Sequence, residues 1–244
     1  MNIALIGYGK VGKEIHNIVN EKKYNVNKIF NSKHLLTEKE NLDDIDICIE
    51  FTTPNCVYEN LKKLISLKKN IVCGTTGWND KLNEIRNLVE KNNVGFVYSS
   101  NFSIGVQIFF DIIKNASQLL NKIENYDVFV NEIHHNQKKD FPSGTAISLG
   151  ETILQNFKTK KEILTSLNDK ILPNQLQVSS IRSGNFFGTH SVTFDSDFDT
   201  IELKHIAKSR RGFALGAIFA SEWIQNKKGF YSFNEILKNY FYDI

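Results

Sequence analysis

The sequence predicts an α/β protein in which a parallel β-sheet covered by helices is followed by an α+β region with a mixed or antiparallel sheet. Up to Phe102, short runs that are apolar on both faces alternate with amphipathic helical patterns, which is typical of a parallel sheet. Beyond Phe102 several strand patterns follow one another, and the chain then returns to helical patterns at its end. Together these observations predict two domains of different architecture.

The elements of the first region follow from the pattern of its apolar residues. These residues follow one another directly in buried strands, whereas they recur about every 3.6 residues in helices. In one helical segment, for example, Val57, Leu61 and Leu64 fall on the same side. The predicted strands are Asn2–Ile6, Val26–Phe30, Ile45–Phe51, Asn70–Cys73 and Gly95–Tyr98, and the predicted helices are Lys13–Asn20, Asn55–Lys68 and Asn79–Lys91.

The second region opens with a long apolar helix, and its polar stretch Lys158–Leu172 is predicted to be a surface excursion because it shows no clear period. The C-terminal helices are expected to return to the first domain. We therefore assign residues 1–103 and 212–244 to one domain and residues 104–211 to the other. The predicted helices are Ile104–Leu120, Thr145–Gln155, Phe213–Gln225 and Phe233–Tyr240, and the predicted strands are Tyr126–Ile133, Gln175–Arg182, Thr189–Phe194 and Thr200–Ile206.

Composition and charge argue against several classes of protein. The net charge is +3 and the lysines are scattered, so a nucleic-acid-binding surface is not expected. No apolar run approaches the roughly 18 residues that cross a bilayer, and the N-terminus lacks the pattern of a signal peptide. Cys48, Cys56 and Cys73 are odd in number and lack ligand spacing, which favours reduced thiols in the cytoplasm over a disulfide framework or a zinc site.

A glycine-rich turn, Gly7-Tyr8-Gly9-Lys10-Val11-Gly12, follows the first strand and opens the first helix. Gly7 permits a tight turn, Gly9 lets the backbone approach a pyrophosphate, and Gly12 allows the helix to pack closely on the strand. The helix start also offers unpaired N–H groups to phosphates. A purely structural turn is the alternative, but the position and context favour a Rossmann-type dinucleotide-binding domain.

Two later segments are candidates for the same cofactor site. Gly74, Thr75 and Thr76 follow a strand and precede a helix, whereas Ser99, Ser100, Asn101 and Phe102 follow the last strand of the first region. Loops at the carboxyl ends of parallel strands line the ligand crevice of such sheets. Taken alone, each segment is also compatible with an ordinary turn.

The second strand ends in Asn31-Ser-Lys-His34, where enzymes selective for NADH usually carry an acidic residue. No carboxylate stands there, and Lys10 and Lys33 are available to meet a 2′-phosphate. The sequence therefore predicts that NADPH is used at least as well as NADH.

The segment from Glu132 to Thr145 has the composition of a site for a small anionic substrate. Pro142 precedes Ser143, which is placed to cap a helix whose first turn, Gly144 and Thr145, offers N–H groups to a carboxylate. Histidine and lysine residues beside it are able to transfer protons near neutral pH. A solvated basic loop remains the alternative, and a metal is not expected because adjacent histidines project apart without a neighbouring third ligand.

The run EIHHNQKKDFPSGTA resembles the signature of the dihydrodipicolinate reductase family, E-x-H-H-x-x-K-x-D-x-P-S-G-T-A, at every fixed position. The resemblance covers nearly the whole chain, because further family segments occur in the same order: GYGKVG, FTTP, GTTGW, SNFSIGV, IRSGNFFGTHSV and the stretch around Ser209-Arg210. It departs from the family in its short length and in the uncharged residues Asn136 and Gln137.

This resemblance implies NAD(P)H-dependent reduction of 4-hydroxy-tetrahydrodipicolinate in the diaminopimelate route to lysine, by a homotetramer. It implies that His134 and Lys138 are the proton-transferring residues, with Lys139 as the rival to Lys138. His135, Ser143, Gly144 and Thr145 would bind the substrate. It also implies that the two domains close to bring hydride donor and acceptor together.

Two other functions remain open from the residues alone. Another two-domain reductase, such as an aspartate dehydrogenase, would keep the glycine turn without needing the His-His-x-x-Lys and Pro-Ser-Gly-Thr pattern. A nucleotide-sensing regulatory module would keep the turn and lose the proton donors.

Overall fold

A computed structural model describes residues 1–167 and 169–242, and the chain divides into two compact units. Unit 1 comprises Met1–Ile104 together with the chain from Arg210 onward, and unit 2 comprises Gly105–Ser209. These limits lie close to the domain boundaries proposed from the sequence, with the C-terminal helices grouped with the first unit.

Unit 1 contains a six-stranded sheet in the order β11-β5-β4-β3-β1-β2, and all of its strand pairs are parallel. Apolar clusters cover both faces, one built around Ile71 and Phe96 and the other around Leu5 and Val97. Its strands are β1 Asn2–Ile6, β2 Asn25–Phe30, β3 Ile47–Glu50, β4 Asn70–Cys73, β5 Gly95–Tyr98 and β11 Gly229–Ser232. Its helices are α1 Lys10–Glu21, α2 Pro54–Ser66, α3 Leu82–Asn92, α6 Arg211–Ile224 and α7 Phe233–Tyr242.

In unit 1, two predicted elements need correction and one strand was not predicted. Helix α1 begins at Lys10 rather than Lys13. Gly9 is its N-cap, so Lys10, Val11 and Gly12 of the glycine-rich segment already belong to the helix. Strand β3 covers only Ile47–Glu50 of the predicted segment. Strand β11 was not predicted, since its four residues mix apolar and polar side chains and pair with β5 alone.

Unit 2 contains a five-stranded mixed sheet in the order β10-β9-β6-β8-β7. Strand β6 pairs antiparallel with β9 and parallel with β8, so it lies at the centre of the sheet. The elements are α4 Ile104–Leu120, β6 Asp127–His134, α5 Gly144–Asn156, β7 Glu162–Leu164, β8 Gln175–Arg182, β9 Thr189–Asp195 and β10 Thr200–Ile206.

The prediction of a surface excursion at Lys158–Leu172 is wrong in part. Glu162–Leu164 forms β7, which pairs with the edge of β8. Lys160 is buried, where its Nζ lies 2.5 Å from Asp127 Oδ1 and donates to the carbonyl oxygens of Pro173 and Gln175. A buried lysine paired in this way follows from tertiary contacts that local periodicity does not reveal.

Helices α4 and α5 cover one face of the unit 2 sheet, and Phe109, Val130 and Leu149 belong to the apolar cluster between them. The strand register places Phe129, Ile181 and Ile206 on the opposite face, where all three are exposed. The described helices of unit 2, α4 and α5, both lie on the covered face. This leaves an apolar patch on the other face.

Within the described residues, no helix has both the length and the apolar character needed to span a membrane. The three cysteines are free thiols, with Cys48 and Cys73 buried and Cys56 exposed. Burial raises the pKa of the Cys48 thiol to about 12, so this residue behaves as a small apolar side chain.

Candidate active site

The glycine turn of unit 1 forms a backbone cradle at the start of α1. Gly7 has a φ of +100°, and a Cβ there would lie 2.1 Å from the carbonyl oxygen of Phe51. A Cβ at Gly12 would lie 2.3 Å from the carbonyl oxygen of Gly7. At Gly9, by contrast, a Cβ would meet no described atom within 4 Å. Two glycines therefore allow the turn to close, and the third faces open space suited to a bound group.

Two cavities open beside this turn. One, of about 370 Å³, is lined by both predicted segments Gly9–Gly12 and Gly74–Thr76, together with Phe51, Thr52 and Pro54. The other, of about 680 Å³, extends from Gly7, Tyr8 and Gly9 towards the end of β2 and the first turns of α2. The N-cap of α1 is Gly9, which has no side chain to occupy the first N–H groups of the helix. Together these features suit the pyrophosphate of a dinucleotide.

The loop after β3 is a part of this site that the sequence reasoning did not assign. Thr52 donates its backbone N–H to Thr75 Oγ1 at 2.7 Å, which ties that loop to the Gly74–Thr76 segment. Beneath it, Glu50 is buried and accepts from Thr52 Oγ1. Burial raises the pKa of Glu50, although hydrogen bonds from its neighbours partly offset this effect. The FTTP segment was visible in the sequence as a family feature, but nothing local marked its contacts.

The segment Ser99–Phe102 is placed differently from the other two. Ser99 donates its backbone N–H to the carbonyl oxygen of Cys73, and its Oγ bonds the Asn101 carbonyl. Phe102 is buried against Phe51 and Phe233. None of these four residues lines either cavity. A contact of Ser99, Ser100, Asn101 or Phe102 with a cofactor therefore stays a prediction.

The residues proposed for cofactor selection are divided between the two cavities. Asn31 and Ser32 line the larger one, and Asn31 Oδ1 accepts from the backbone N–H of Lys33 and His34 in a tight turn. Lys10 lines the smaller cavity instead. The larger cavity does contain a carboxylate, Glu59, which belongs to α2 and not to the segment after β2.

In unit 2, alternation and register bring five polar residues onto one face of the sheet. Glu132 and His134 lie two residues apart on β6 and therefore point to the same side. The register pairs Glu132 with Ser180 of β8 and His190 of β9, and it pairs His134 with Arg182. Of these five residues, the sequence reasoning assigned a role only to His134.

The Glu132 carboxylate is the centre of this group and is fully buried. Its Oε1 accepts from Arg182 Nη2 at 2.7 Å, Ser180 Oγ at 2.8 Å and the backbone N–H of Ser143 at 2.9 Å. Its Oε2 lies 3.1 Å from His134 Nδ1 and 3.6 Å from His190 Nε2. Burial raises the pKa of Glu132, but hydrogen bonds from these neighbours outweigh it and hold the pKa far below its usual range. The carboxylate is thus ionised at neutral pH.

Lys138 lies on the loop after β6 and is held by Asp140. Its Nζ is 2.9 Å from Asp140 Oδ2, and the backbone carbonyl of Asp140 accepts from Arg182 at 2.6 Å. Although burial raises the pKa of Asp140, the hydrogen bond and charge of Lys138 lower it on balance. His135 begins the loop, and its backbone N–H donates to the Phe186 carbonyl at 2.9 Å. Lys139, the rival of Lys138, is exposed.

Ser143 caps α5 as predicted, with its Oγ accepting from the backbone N–H of Ala146 at 3.2 Å. A Cβ at Gly144 would meet no described atom within 4 Å, so the first turn of α5 faces open space. Thr145 follows in the same turn. Helix N–H groups facing open space beside Lys138 and His135 in sequence are suited to bind a carboxylate.

His190 and Gly188 complete the surroundings of His134, and the sequence reasoning missed both. The rings of His134 and His190 are 5.1 Å apart, and burial lowers the pKa of His190 despite the nearby Glu132 carboxylate. Gly188 has a φ of +144°, and a Cβ there would lie 3.0 Å from His134 Nε2. Both residues lie in the segment IRSGNFFGTHSV, which carried a family signal but no assigned role.

Tertiary structure brings His190, which is distant in sequence, to His134 and Glu132 as a third group able to bind a metal. Ligand atoms of Glu132, His134 and His190 all lie within 4.8 Å of one another. However, Glu132 Oε1 already accepts three donors, one of them the Arg182 cation. Arg182 Nη2 lies 2.7 Å from this carboxylate, and its positive charge disfavours binding of a divalent cation to the same group.

Two models of one protein family together match most of the chain. The family model described as "Dihydrodipicolinate reductase, N-terminus" matches residues 1–102, and the one described as "Dihydrodipicolinate reductase, C-terminus" matches residues 105–237. Among curated proteins, a 4-hydroxy-tetrahydrodipicolinate reductase from Christiangramia forsetii is 38% identical over 244 residues, covering 99% of each chain. Another from Buchnera aphidicola is 37% identical over 206 residues, covering 82% of this chain and 74% of the relative.

Solved structures show the same fold. A dipicolinate-bound dihydrodipicolinate reductase from Paenisporosarcina superposes with a TM-score of 0.75 at 22% identity, covering 97% of this chain and 99% of that one. An amine dehydrogenase from Mycobacterium smegmatis superposes with a TM-score of 0.63 at 8% identity, covering 96% and 95% of the two chains. The two-unit architecture is therefore shared with dehydrogenases of several specificities.

Proposed function

The chain belongs to the dihydrodipicolinate reductase family, and we propose that His134 and Lys138 supply the protons for that family's reaction. This chain is an NAD(P)H-dependent oxidoreductase of lysine biosynthesis, which reduces 4-hydroxy-tetrahydrodipicolinate to tetrahydrodipicolinate in the diaminopimelate route, with loss of the hydroxyl group as water. The observation that carries the assignment of residues is the buried Glu132 carboxylate, which contacts both His134 and the start of α5. The alternatives of an aspartate dehydrogenase and of a regulatory module are set aside, because both family models match.

The reaction needs positive charge and a proton near the substrate's ring nitrogen. A bound nicotinamide supplies the hydride. Lys138 Nζ is a cation whose partner Asp140 is largely exposed, so a substrate group can compete for it. His134 adds a second proton-transferring group, and positioned acids of this kind contribute on the order of 10²–10⁴-fold in rate.

The substrate is a small dicarboxylate, and a solved relative of the family binds dipicolinate. We assign one carboxylate to the first turn of α5, with Ser143, Gly144 and Thr145 as its binding residues, although the backbone N–H of Ser143 itself is donated to Glu132. His135 lies on the same loop and is assigned to the substrate as well.

We assign the cofactor to the two cavities of unit 1, where Gly7–Gly12 receives the pyrophosphate and Gly74–Thr76 lies against the nicotinamide end. The open space at Gly9 and the uncapped start of α1 support this assignment. Asn31 and Ser32 are neutral groups where a ribose-binding carboxylate would favour NADH, which supports use of NADPH at least as well as NADH. Glu59 is the residue that argues in the opposite direction.

We also propose a homotetramer that functions in the cytoplasm. Exposed Phe129, Ile181 and Ile206 on the uncovered face of the unit 2 sheet support burial of that face in an assembly. Three cysteines without a disulfide support a reducing compartment. Light scattering of the purified protein tests the assembly, and Phe129→Lys is expected to reduce the mass towards that of the monomer.

The reaction is tested by absorbance at the reduced-nicotinamide band, with the imine substrate generated in situ and NADH and NADPH compared in parallel. We expect substrate-dependent oxidation with both cofactors. Absence of turnover with either cofactor in a folded protein would contradict the function, and a tenfold preference for NADH would contradict the proposal on cofactor choice.

A further inference from the structure

We propose that Glu132 is a positioning residue that holds His134, the loop with Lys138 and the start of α5 in one arrangement. This inference rests on the proposed function, because it explains how proton donors and carboxylate site are kept together. Glu132 itself points into the protein and is fully buried, so it acts through its neighbours.

The buried carboxylate of Glu132 carries an energetic cost. Burying an ionised carboxylate costs several kcal/mol unless charges and hydrogen bonds compensate, and apolar residues fill the same volume without that cost. Here Oε1 accepts hydrogen bonds from a helix start and from two residues of β8, and His190 of β9 lies 3.6 Å from Oε2. A buried charge with this many partners is more useful for fixing their geometry than for stabilising the core.

The groups that donate to Oε1 in turn fix the start of α5 and the loop with Lys138. The backbone N–H of Ser143 fixes the first residue before α5, and thus the carboxylate-binding turn. Arg182 bonds Glu132 at 2.7 Å and the Asp140 carbonyl at 2.6 Å through the same Nη2 atom. Asp140 in turn holds Lys138 Nζ at 2.9 Å. Glu132 is therefore connected to the lysine through two intermediates.

The contact at Oε2 decides through which nitrogen His134 transfers its proton. Oε2 lies 3.1 Å from Nδ1, and neither of these two buried atoms has a hydrogen bond to any other described group. A proton on Nδ1 leaves Nε2 as the atom that exchanges protons. Nε2 is also the atom that Gly188 leaves uncovered, since a Cβ there would lie 3.0 Å from it.

The charges around His134 come from every strand and loop in this group. Glu132 is anionic and lies on the same strand, Arg182 is the paired residue on β8, and His190 faces the ring from β9. Lys138 and Asp140 add an ion pair from the loop. Replacing Glu132 by glutamine removes the anion among these groups that lies against Nδ1, so a positive charge on that ring is no longer paired.

The test is Glu132→Gln, with Glu124→Gln as the matched control because Glu124 is an exposed residue of the turn after α4. We expect a decrease in kcat of roughly ten- to hundredfold, similar to the loss of other groups that orient a reacting histidine. The alkaline limb of the kcat profile should move to lower pH, and cofactor affinity should stay unchanged. Glu132→Asp retains the charge and should restore the position of that limb.

A double variant separates positioning from general damage to the fold. If Glu132 acts through His134, then Glu132→Gln combined with His134→Gln should be no slower than His134→Gln alone. Losses that multiply, or a Glu132→Gln enzyme with wild-type kcat and pH profile, would overturn the proposal. Should Glu132→Gln not fold, judged by its melting curve, Arg182→Gln tests the same link and is expected to lower kcat. Wild-type turnover in His134→Gln would instead contradict the proposed function.

Discussion

The two units build their sites by different means, and the contrast shows what each site can tolerate. In unit 1 the cofactor cradle is made of backbone, with Gly7 and Gly12 where no Cβ fits. In unit 2 the proposed catalytic group is made of side chains, and the buried Glu132 contacts residues of two other strands and a helix start. A backbone site is damaged by adding atoms, whereas a side-chain site is damaged by removing charges.

The largest expected effect comes from removing a charge in unit 2. Lys138→Ala should lower kcat by about 10²–10⁴-fold, because a positioned acid is lost while the cofactor site in unit 1 is untouched. Steady-state kinetics and a cofactor-binding titration measure the two effects separately. Lys139→Ala, an exposed neighbour, is the matched control and should retain nearly full activity. The opposite ranking of the two lysines would contradict the assignment.

A smaller effect is expected where unit 2 does depend on a glycine. Gly188→Ala places a Cβ 3.0 Å from His134 Nε2 and forces a side chain onto a φ of +144°. Backbone strain of this kind costs about 1–3 kcal/mol, which lowers Tm by several degrees as well as reducing kcat. Gly184→Ala has a φ of +50° and no described atom closer than 3.8 Å, so its Tm should fall less. Equal losses in both variants would indicate that contact with His134 is unimportant.

Gly9→Ala and Gly144→Ala test whether the two units can be perturbed independently. Neither added Cβ meets a described atom within 4 Å, so both variants should fold normally. Gly9→Ala should raise the KM for the cofactor about tenfold, or ~1.4 kcal/mol, because the methyl group occupies space assigned to the pyrophosphate. Gly144→Ala should raise the KM for the substrate instead. Kinetics with each reactant varied in turn would show the crossing pattern, and an unchanged KM in both variants would argue against the two assignments.

The smallest effect is a dependence of stability on pH that originates in unit 2. Burial lowers the pKa of His190 below 6.5, so as the pH falls through 6.5 the unfolded chain takes up a proton that the folded chain does not. Stability therefore decreases with falling pH, by at most about 1.4 kcal/mol per pH unit for one group. The lowered pKa of Glu132 likewise makes stability decrease as the pH falls below 4.5. Melting curves between pH 7.5 and 5.5 should show a flatter dependence in His190→Gln; an identical slope would contradict this origin.

The fold was predicted well where the pattern was local. Most strands and helices lie within a few residues of their predicted bounds, because strand and helix periods differ clearly in those segments. The two strands that were missed, β7 and β11, lie at the edges of their sheets and are three and four residues long. A short edge strand pairs on one side only, and its apolar pattern is correspondingly weak.

What the sequence determined by itself is the chemistry that depends on neighbouring residues. The glycine spacing from Gly7 to Gly12 and the serine cap at Ser143 required only local geometry. Tertiary structure alone decided that Ser180 and Arg182, 48 and 50 residues from Glu132, share its carboxylate, and that His190 faces the same ring. The physical reason is that strand register is fixed by pairing between distant segments, and local periodicity carries no information about which residues become partners.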